Sequence, residues 1–222
     1  MNTPFHAYKW YRTSQFWSIA AIVIVAGTLV TADTPGRGRT APFETNYLQF
    51  IMNHHASALR MTELAAGTDT TRDAAMDPNE GTSPTSGFPT SPSKSRLASI
   101  KSMARMANRM QREEIAMAQR MLRDWYGIEA RPMITPEGQQ MIDALERVAA
   151  GRDFDFAFLT LFSQHHYGAL KPSVDCQVNR ELAHDDLDRY CRGIVHAQIN
   201  EITEMRKMLC KEFGTCDVQL TQ

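Results

Sequence analysis

Alternation of apolar and polar residues, the mark of a half-buried strand, is nearly absent from this 222-residue chain. Neither sign of charge dominates: the formal net charge is -1 and 22% of residues are charged, so there is no nucleic-acid footprint and no acidic tail. No Gly-rich phosphate loop, His-Glu-x-x-His or Gly-x-Ser-x-Gly occurs, which removes the commonest signatures of nucleotide hydrolysis, zinc proteolysis and serine hydrolysis. No cysteine precedes Cys176, and there is no Cys-x-x-Cys. What remains is rich in Ala, Leu, Met, Glu, Gln and Arg, the composition of an all-α protein of one or two domains. Two counts stand out: 13 methionines, and seven histidines of which four form adjacent pairs.

Those pairs lie in a repeat. Tyr47-Leu48 is followed by apolar residues, His54-His55, and Ala58-Leu59; Phe158-Leu159 is followed by apolar residues, His165-His166, and Ala169-Leu170. Each copy is followed by a helical pattern containing Gln-x-x-Glu-Ile, at Gln111 to Ile115 and at Gln198 to Ile202. A repeat of this kind is one supersecondary unit used twice. The chain therefore reads as two αα-hairpins, each pairing a His-His helix with a Gln-x-x-Glu-Ile helix.

Residues 1–15 carry Lys9 and Arg12 and no acid, and Phe16 to Ala32 is an uncharged apolar run. Residues 1–32 thus read as a secretory signal, cleaved after Val30-Thr31-Ala32, or as a retained membrane anchor formed by 16–32. Either way the remainder is expected to be exported. Residues 33–42 form a Pro/Gly/Arg linker, and 43–216 the helical domain. Bundle helices are expected over Phe43–Ala66, Arg96–Tyr126, Asp153–Lys171 and Asp186–Phe213, with a short linking helix from Pro136 to about Ala150. Asp153 is the expected N-cap of the third bundle helix and Pro172 its stop. Residues 67–95, rich in Thr, Ser, Pro, Asp and Gly, read as a disordered loop inserted into the first hairpin.

The four cysteines, an even cluster, suit disulfides in an exported chain. Cys191 and Cys210 fall on one helix about 19 residues apart, roughly 28 Å, too far to bond. Cys176–Cys191 and Cys210–Cys216 are the expected pairs; the alternative is free cysteines or a thiolate metal site.

On a helix, residues three, four and seven apart share a face. By that rule both members of each His-His pair border an apolar stripe, and a buried imidazole needs a partner. Glu114 and Glu201 are the candidate partners. One reading is a His–Glu hydrogen-bond network fixing helix register; the other is metal ligation. Met103, Met106, Met110, Met117 and Met121 fall within a sector of roughly 60° on one helix. Met52 and Met61 flank the first His-His pair. Methionine fills cores well, yet thioether is a soft ligand suited to Cu(I). Copper is therefore the first metal to consider. A di-iron site is disfavoured, because Glu181-Leu182-Ala183-His184 is the one Glu-x-x-His and has no repeat partner.

The aromatic-Leu, His-His, Ala-Leu helix with its Gln-x-x-Glu-Ile partner, and the stretch Gly151 to Leu159 before the second pair, resemble the DUF305 family (domain of unknown function 305). The resemblance covers about 43–66, 96–124 and 141–213. It implies a ferritin-like four-helix bundle outside the cytoplasm, in which some members handle copper through His and Met; the lack of enzyme motifs makes a catalytic role unexpected. His54, His55, His165 and His166 match the family's His-His motif, and Met61 matches the Met after the first pair. Lys171 and Pro172 replace the corresponding continuation in the second copy. The expected metal ligands are His54, His55 and Met61, with Met52, Met103, Met106 and Met110 as soft neighbours. His165 and His166 are the second-half equivalent, with Glu114 and Glu201 orienting the imidazoles. The alternative is a structural or interaction bundle whose His–Glu pairs are core hydrogen bonds. No nucleic-acid partner is expected, and the sequence sets no oligomeric state.

Overall fold

The computed structural model describes residues 41–69, 82 and 84–216. The expected signal or anchor at 1–32, the linker at 33–40 and residues 70–81 of the insertion lie outside them. Among the described residues the protein is all-α, with five helices: α1 (Ala41–Ala66), α2 (Ala98–Tyr126), α3 (Pro136–Arg147), α4 (Arg152–Val178) and α5 (Asp185–Phe213). None of these is long and apolar enough to cross a membrane.

Local chemistry sets most of the ends. Thr135 caps α3, its hydroxyl accepting from the Gly138 N–H at 3.0 Å, and Pro136 occupies the first turn, where no N–H is needed. Gly127 and Gly214 close α2 and α5 in the left-handed conformation, at φ 65° and 70°. Of the boundaries that differ from expectation, three bear on the packing. α1 begins at Ala41, inside the expected linker. Gly151, at φ 111°, stands at the N-cap of α4, and Asp153 lies in its first turn, where a carboxylate suits the helix dipole.

The third difference is larger. Pro172 does not stop α4, which continues to Val178. A proline inside a helix removes a backbone hydrogen bond and costs about 3 kcal/mol. Beyond it, Ser173 and Cys176 are fully buried, Ser173 shares a 3.0 Å hydrogen bond with the Tyr47 hydroxyl, and Cys176 is bonded to Cys191. These tertiary contacts offset the local cost, which the sequence stop signal does not weigh. The second disulfide joins Cys210 to Cys216, so the expected pairing is present.

α1 packs along α2 and α4 along α5; the two hairpins meet through α1 against α4, with α3 laid against both. The buried apolar residues form two clusters. One gathers Met61, Leu64, Ile100, Ile142, Phe154, Phe158, Phe162, Met205 and Leu209; the other Leu48, Ile51, Met52, Ile115, Leu122, Leu187 and Ile194. The order in which each helix visits the clusters makes α1 antiparallel to α4 and α2 antiparallel to α5. Between the clusters, at mid-height, every long helix contributes buried polar residues: His55 and Ser57, Gln111, His165 and His166, Gln198.

Residues 84–95 are not the disordered loop that their composition suggests. They bind back onto the end of α1. The Thr85 hydroxyl donates to Glu63 Oε1 at 2.5 Å, Arg60 Nη1 donates to Pro89 O at 2.9 Å and lies over the Phe88 ring, and Lys94 N donates to Leu64 O at 2.9 Å. Gly67, at φ 86°, lets this strap approach: a Cβ there would sit 2.9 Å from Ser93 N.

The disulfides predict a ranking. Cys176–Cys191 closes 15 residues and Cys210–Cys216 closes 6. Replacing both cysteines of the first pair by alanine is expected to lower unfolding free energy by about 3 kcal/mol, and of the second by about 2 kcal/mol. Urea denaturation of the two double variants checks the order; the reverse ranking contradicts it.

Candidate functional site

The two hairpins bring the His-His pairs together, and the members of each pair take different jobs. His54 and His165 face each other. Their ring centroids are 3.9 Å apart. His54 Nε2 donates to the backbone carbonyl of His165 at 2.9 Å. In return His165 Nε2 lies 3.1 Å from the carbonyl of His54 and 2.8 Å from Ser57 Oγ. Ser57 itself donates to the His54 carbonyl at 2.8 Å, so its oxygen accepts from the His165 ring. The contact is reciprocal, and it bolts α1 to α4 about the internal twofold. Glycines give it room: a Cβ on Gly168 would lie 3.3 Å from His54 Nε2, and one on Gly138 2.7 Å from Ser57 Cβ.

Burial decides the charge of this pair. Desolvation, reinforced by the neighbouring imidazoles His55 and His166, pushes His54 down to about 3. Burial, then His54, His166 and His55, holds His165 well below the usual histidine range. Both rings are neutral, and each keeps one Nδ1 without a hydrogen-bond partner.

The second member of each pair turns to the other helix of its own hairpin. His55, fully buried, places Nε2 2.9 Å from Glu114 Oε2 on α2. His166, fully buried, places Nε2 2.5 Å from Glu201 Oε2 on α5, and its Nδ1 donates to Phe162 O at 2.8 Å. With Nδ1 already a donor, the Nε2–carboxylate contact requires a second proton between ring and acid. Gln111 and Gln198 fill the layer beside these pairs, each with an unpartnered side-chain oxygen.

The methionines divide differently from expectation. Met52 and Met61 are both buried, one in each of the two apolar clusters. Met103 and Met110 are half-buried and Met106 is 48% exposed. With Met208, Asn200, Glu201 and Glu204 they line a groove of about 570 Å³ between α2 and α5, on the side of the protein away from the α1–α4 contact. The carboxylate that holds His166 therefore also forms part of a thioether-lined wall. Among the described residues no three His, Cys, Asp or Glu side chains are grouped to hold a metal ion.

The histidine of Glu181-x-x-His184 is tied to a different acid. His184 Nδ1 bonds Glu44, which is fully buried and also accepts from the Tyr126 hydroxyl and from the Ala183 N–H at 2.6 Å. Trp125 stacks on His184 at 3.9 Å. This lock ties the α4–α5 turn to α1 and α2. The sequence offers no sign of it beyond an acid near the start of a helix.

The neutral central pair predicts acid sensitivity. The unfolded chain holds a proton on each ring below about pH 6.5, the ordinary histidine value. The folded chain does not until much lower pH. Stability should therefore fall as pH drops from about 6.5 towards 4, by about one proton of linkage per ring. His54→Gln, which can still donate to the His165 carbonyl, should be less stable at pH 7 yet less acid-sensitive. Urea midpoints from pH 7 to 4 test this; an unchanged slope contradicts it.

Known proteins share this architecture. The protein CopM in its Cu(II)-bound form matches with a TM-score of 0.56 at 18% identity, over 77% of this chain and 97% of that one. CopM in its Cu(I)-bound form matches with a TM-score of 0.55 at 19% identity, over 77% and 98%. A DUF305 fragment from Deinococcus radiodurans matches with a TM-score of 0.54 at 23% identity, over 77% and 97%. At these identities the likeness is one of fold. No curated protein matches the sequence. The model of a family described as a domain of unknown function, DUF305, matches residues 90–209, which takes in α2 to α5 and the second His-His pair. That match spans more than half of the sequence, and the chain belongs to the DUF305 family.

Proposed function

We propose that this protein binds copper as cargo, to sequester it or hand it on, outside the cytoplasm and without catalysing a reaction. The observation that carries this reading is the groove of Met103, Met106, Met110 and Met208 with Glu201 and Glu204 in its wall. Methionine in a core needs no further explanation, but Met106 is half exposed, where burial does not account for it. Thioethers are neutral, soft donors that favour Cu(I) over the harder ions of the medium. Having no proton to lose, they bind without releasing one. The two glutamates place negative charge beside them, which favours approach of a cation. The buried His166 fixes one of these carboxylates at the wall.

Three further observations support the reading. CopM, which shares the fold, has been solved with copper in both oxidation states. Two disulfides suit an oxidising compartment. The apolar run at 16–32, preceded by basic residues, suits export with or without a retained anchor. For His54 and His165 the structural alternative is the better reading, since each ring is spent on the other half's helix, α1 against α4.

A competition titration against a chromogenic Cu(I) chelator tests the proposal. Met103→Leu, Met106→Leu and Met110→Leu together conserve volume and should leave the melting temperature nearly unchanged. Cu(I) affinity should fall about tenfold or more, roughly 1.4 kcal/mol. Unchanged affinity and stoichiometry would rule the groove out.

A further inference from the structure

The duplication reaches the grooves as well as the helices. The correspondence that carries Glu114 onto Glu201 and Gln111 onto Gln198 also carries Met121 onto Met208 and Met117 onto Glu204. In the other direction it carries Tyr190 onto Met103 and Gly193 onto Met106. A second groove, of about 440 Å³, lies where this correspondence requires it, between the other ends of α2 and α5. Glu114, Met117 and Met121 from α2 and Tyr190 and Gly193 from α5 line it. It is the twofold mate of the methionine groove, with two thioethers instead of four.

The mate differs in how its histidine is held. His166 behind the first groove uses both ring nitrogens, one on Phe162 O and one on Glu201. His55 behind the second is equally buried, but its Nδ1 has no partner, and its Nε2, though 2.9 Å from Glu114 Oε2, is not aligned with it for a hydrogen bond. A buried imidazole without an aligned bond on either nitrogen is costly in a fold that satisfies its equivalent. The orphaned ring lies behind the groove wall against Glu114, and Glu114 lines the groove together with the two thioethers. Met117 is 37% exposed, so the groove can be reached from solvent.

We infer that the second groove is a second copper site, in which His55, Glu114, Met117 and Met121 supply the donors. The inference rests on the copper reading of the first groove. Imidazole and thioether together accept Cu(I), and fewer thioethers make this the weaker of the two sites for it. The α2 stripe thus serves both grooves: its first three methionines face one, its last two the other. Gly193, where a Cβ would meet nothing within 4 Å, leaves the second groove without a side chain at the point where the first has Met106.

The test is equilibrium dialysis of the full chain against Cu(I) under reductant, with copper per chain measured by elemental analysis. The wild type is expected to hold two ions. Met117→Leu with Met121→Leu, a volume-conserving change, should hold one, and Met103→Leu with Met106→Leu and Met110→Leu should also hold one. With methyl-labelled methionine, the second equivalent should shift the Met117 and Met121 signals in the wild type. A wild type that holds one ion, lost in the Met103/Met106/Met110 variant and kept in the Met117/Met121 variant, overturns the second site and leaves the first standing. A wild type that holds none overturns the copper reading and the second site with it.

Discussion

The structure depends on what it costs to put four imidazoles in the middle of an apolar bundle. Water is excluded there, so each ring has to be neutral or paired, and a ring N–H needs a protein acceptor. His54 and His165 meet that demand by donating to each other's backbone carbonyl, which fixes α1 against α4 in one register. A slip of one residue on either helix would break both bonds at once. The polar layer thus sets the relation between the hairpins, while the two apolar clusters on either side supply most of the burial.

Once α1 and α4 are bolted together on one side, α2 and α5 are left facing each other on the other, across grooves rather than a packed seam. The remaining histidine of each pair reaches towards that side and meets a glutamate at the groove wall. One layer of side chains therefore joins a structural contact to a surface of soft donors. The two halves have since diverged. α2 carries five methionines along the seam, whereas α5 carries Met208 there and keeps Tyr190 and Gly193 where its counterpart has Met103 and Met106. The sulfur is concentrated on one helix, and the grooves are unequal as a result.

Much of this was legible in the residues. The twofold repeat and the pairing of His-His helices with Gln-x-x-Glu-Ile helices follow from spacing, and spacing also excludes a Cys191–Cys210 bond. The proximity of Glu114 and Glu201 to imidazoles follows from it too. Spacing did not say which member of each pair looks across the twofold, because adjacent residues stand about 100° apart and both border the apolar stripe. It did not separate Met52 and Met61, whose positions beside the histidines conceal that they point into different clusters. Pro172 and residues 84–95 were misjudged for a common reason. Local propensity marks a helix stop and a polar loop, but Tyr47–Ser173, the Cys176–Cys191 bond, Thr85–Glu63 and Arg60–Pro89 are long-range contacts that propensity does not contain. The buried Glu44–His184 lock is long-range in the same way.

In the proposed function, thioethers on the α2–α5 side, not the imidazoles bolting α1 to α4, receive the metal. X-ray absorption spectroscopy at the copper edge of the Cu(I)-bound protein reads the donor atoms directly. Sulfur in most of the first coordination shell, with at most one nitrogen per ion, is the predicted result. A shell made of nitrogen donors alone would contradict the account.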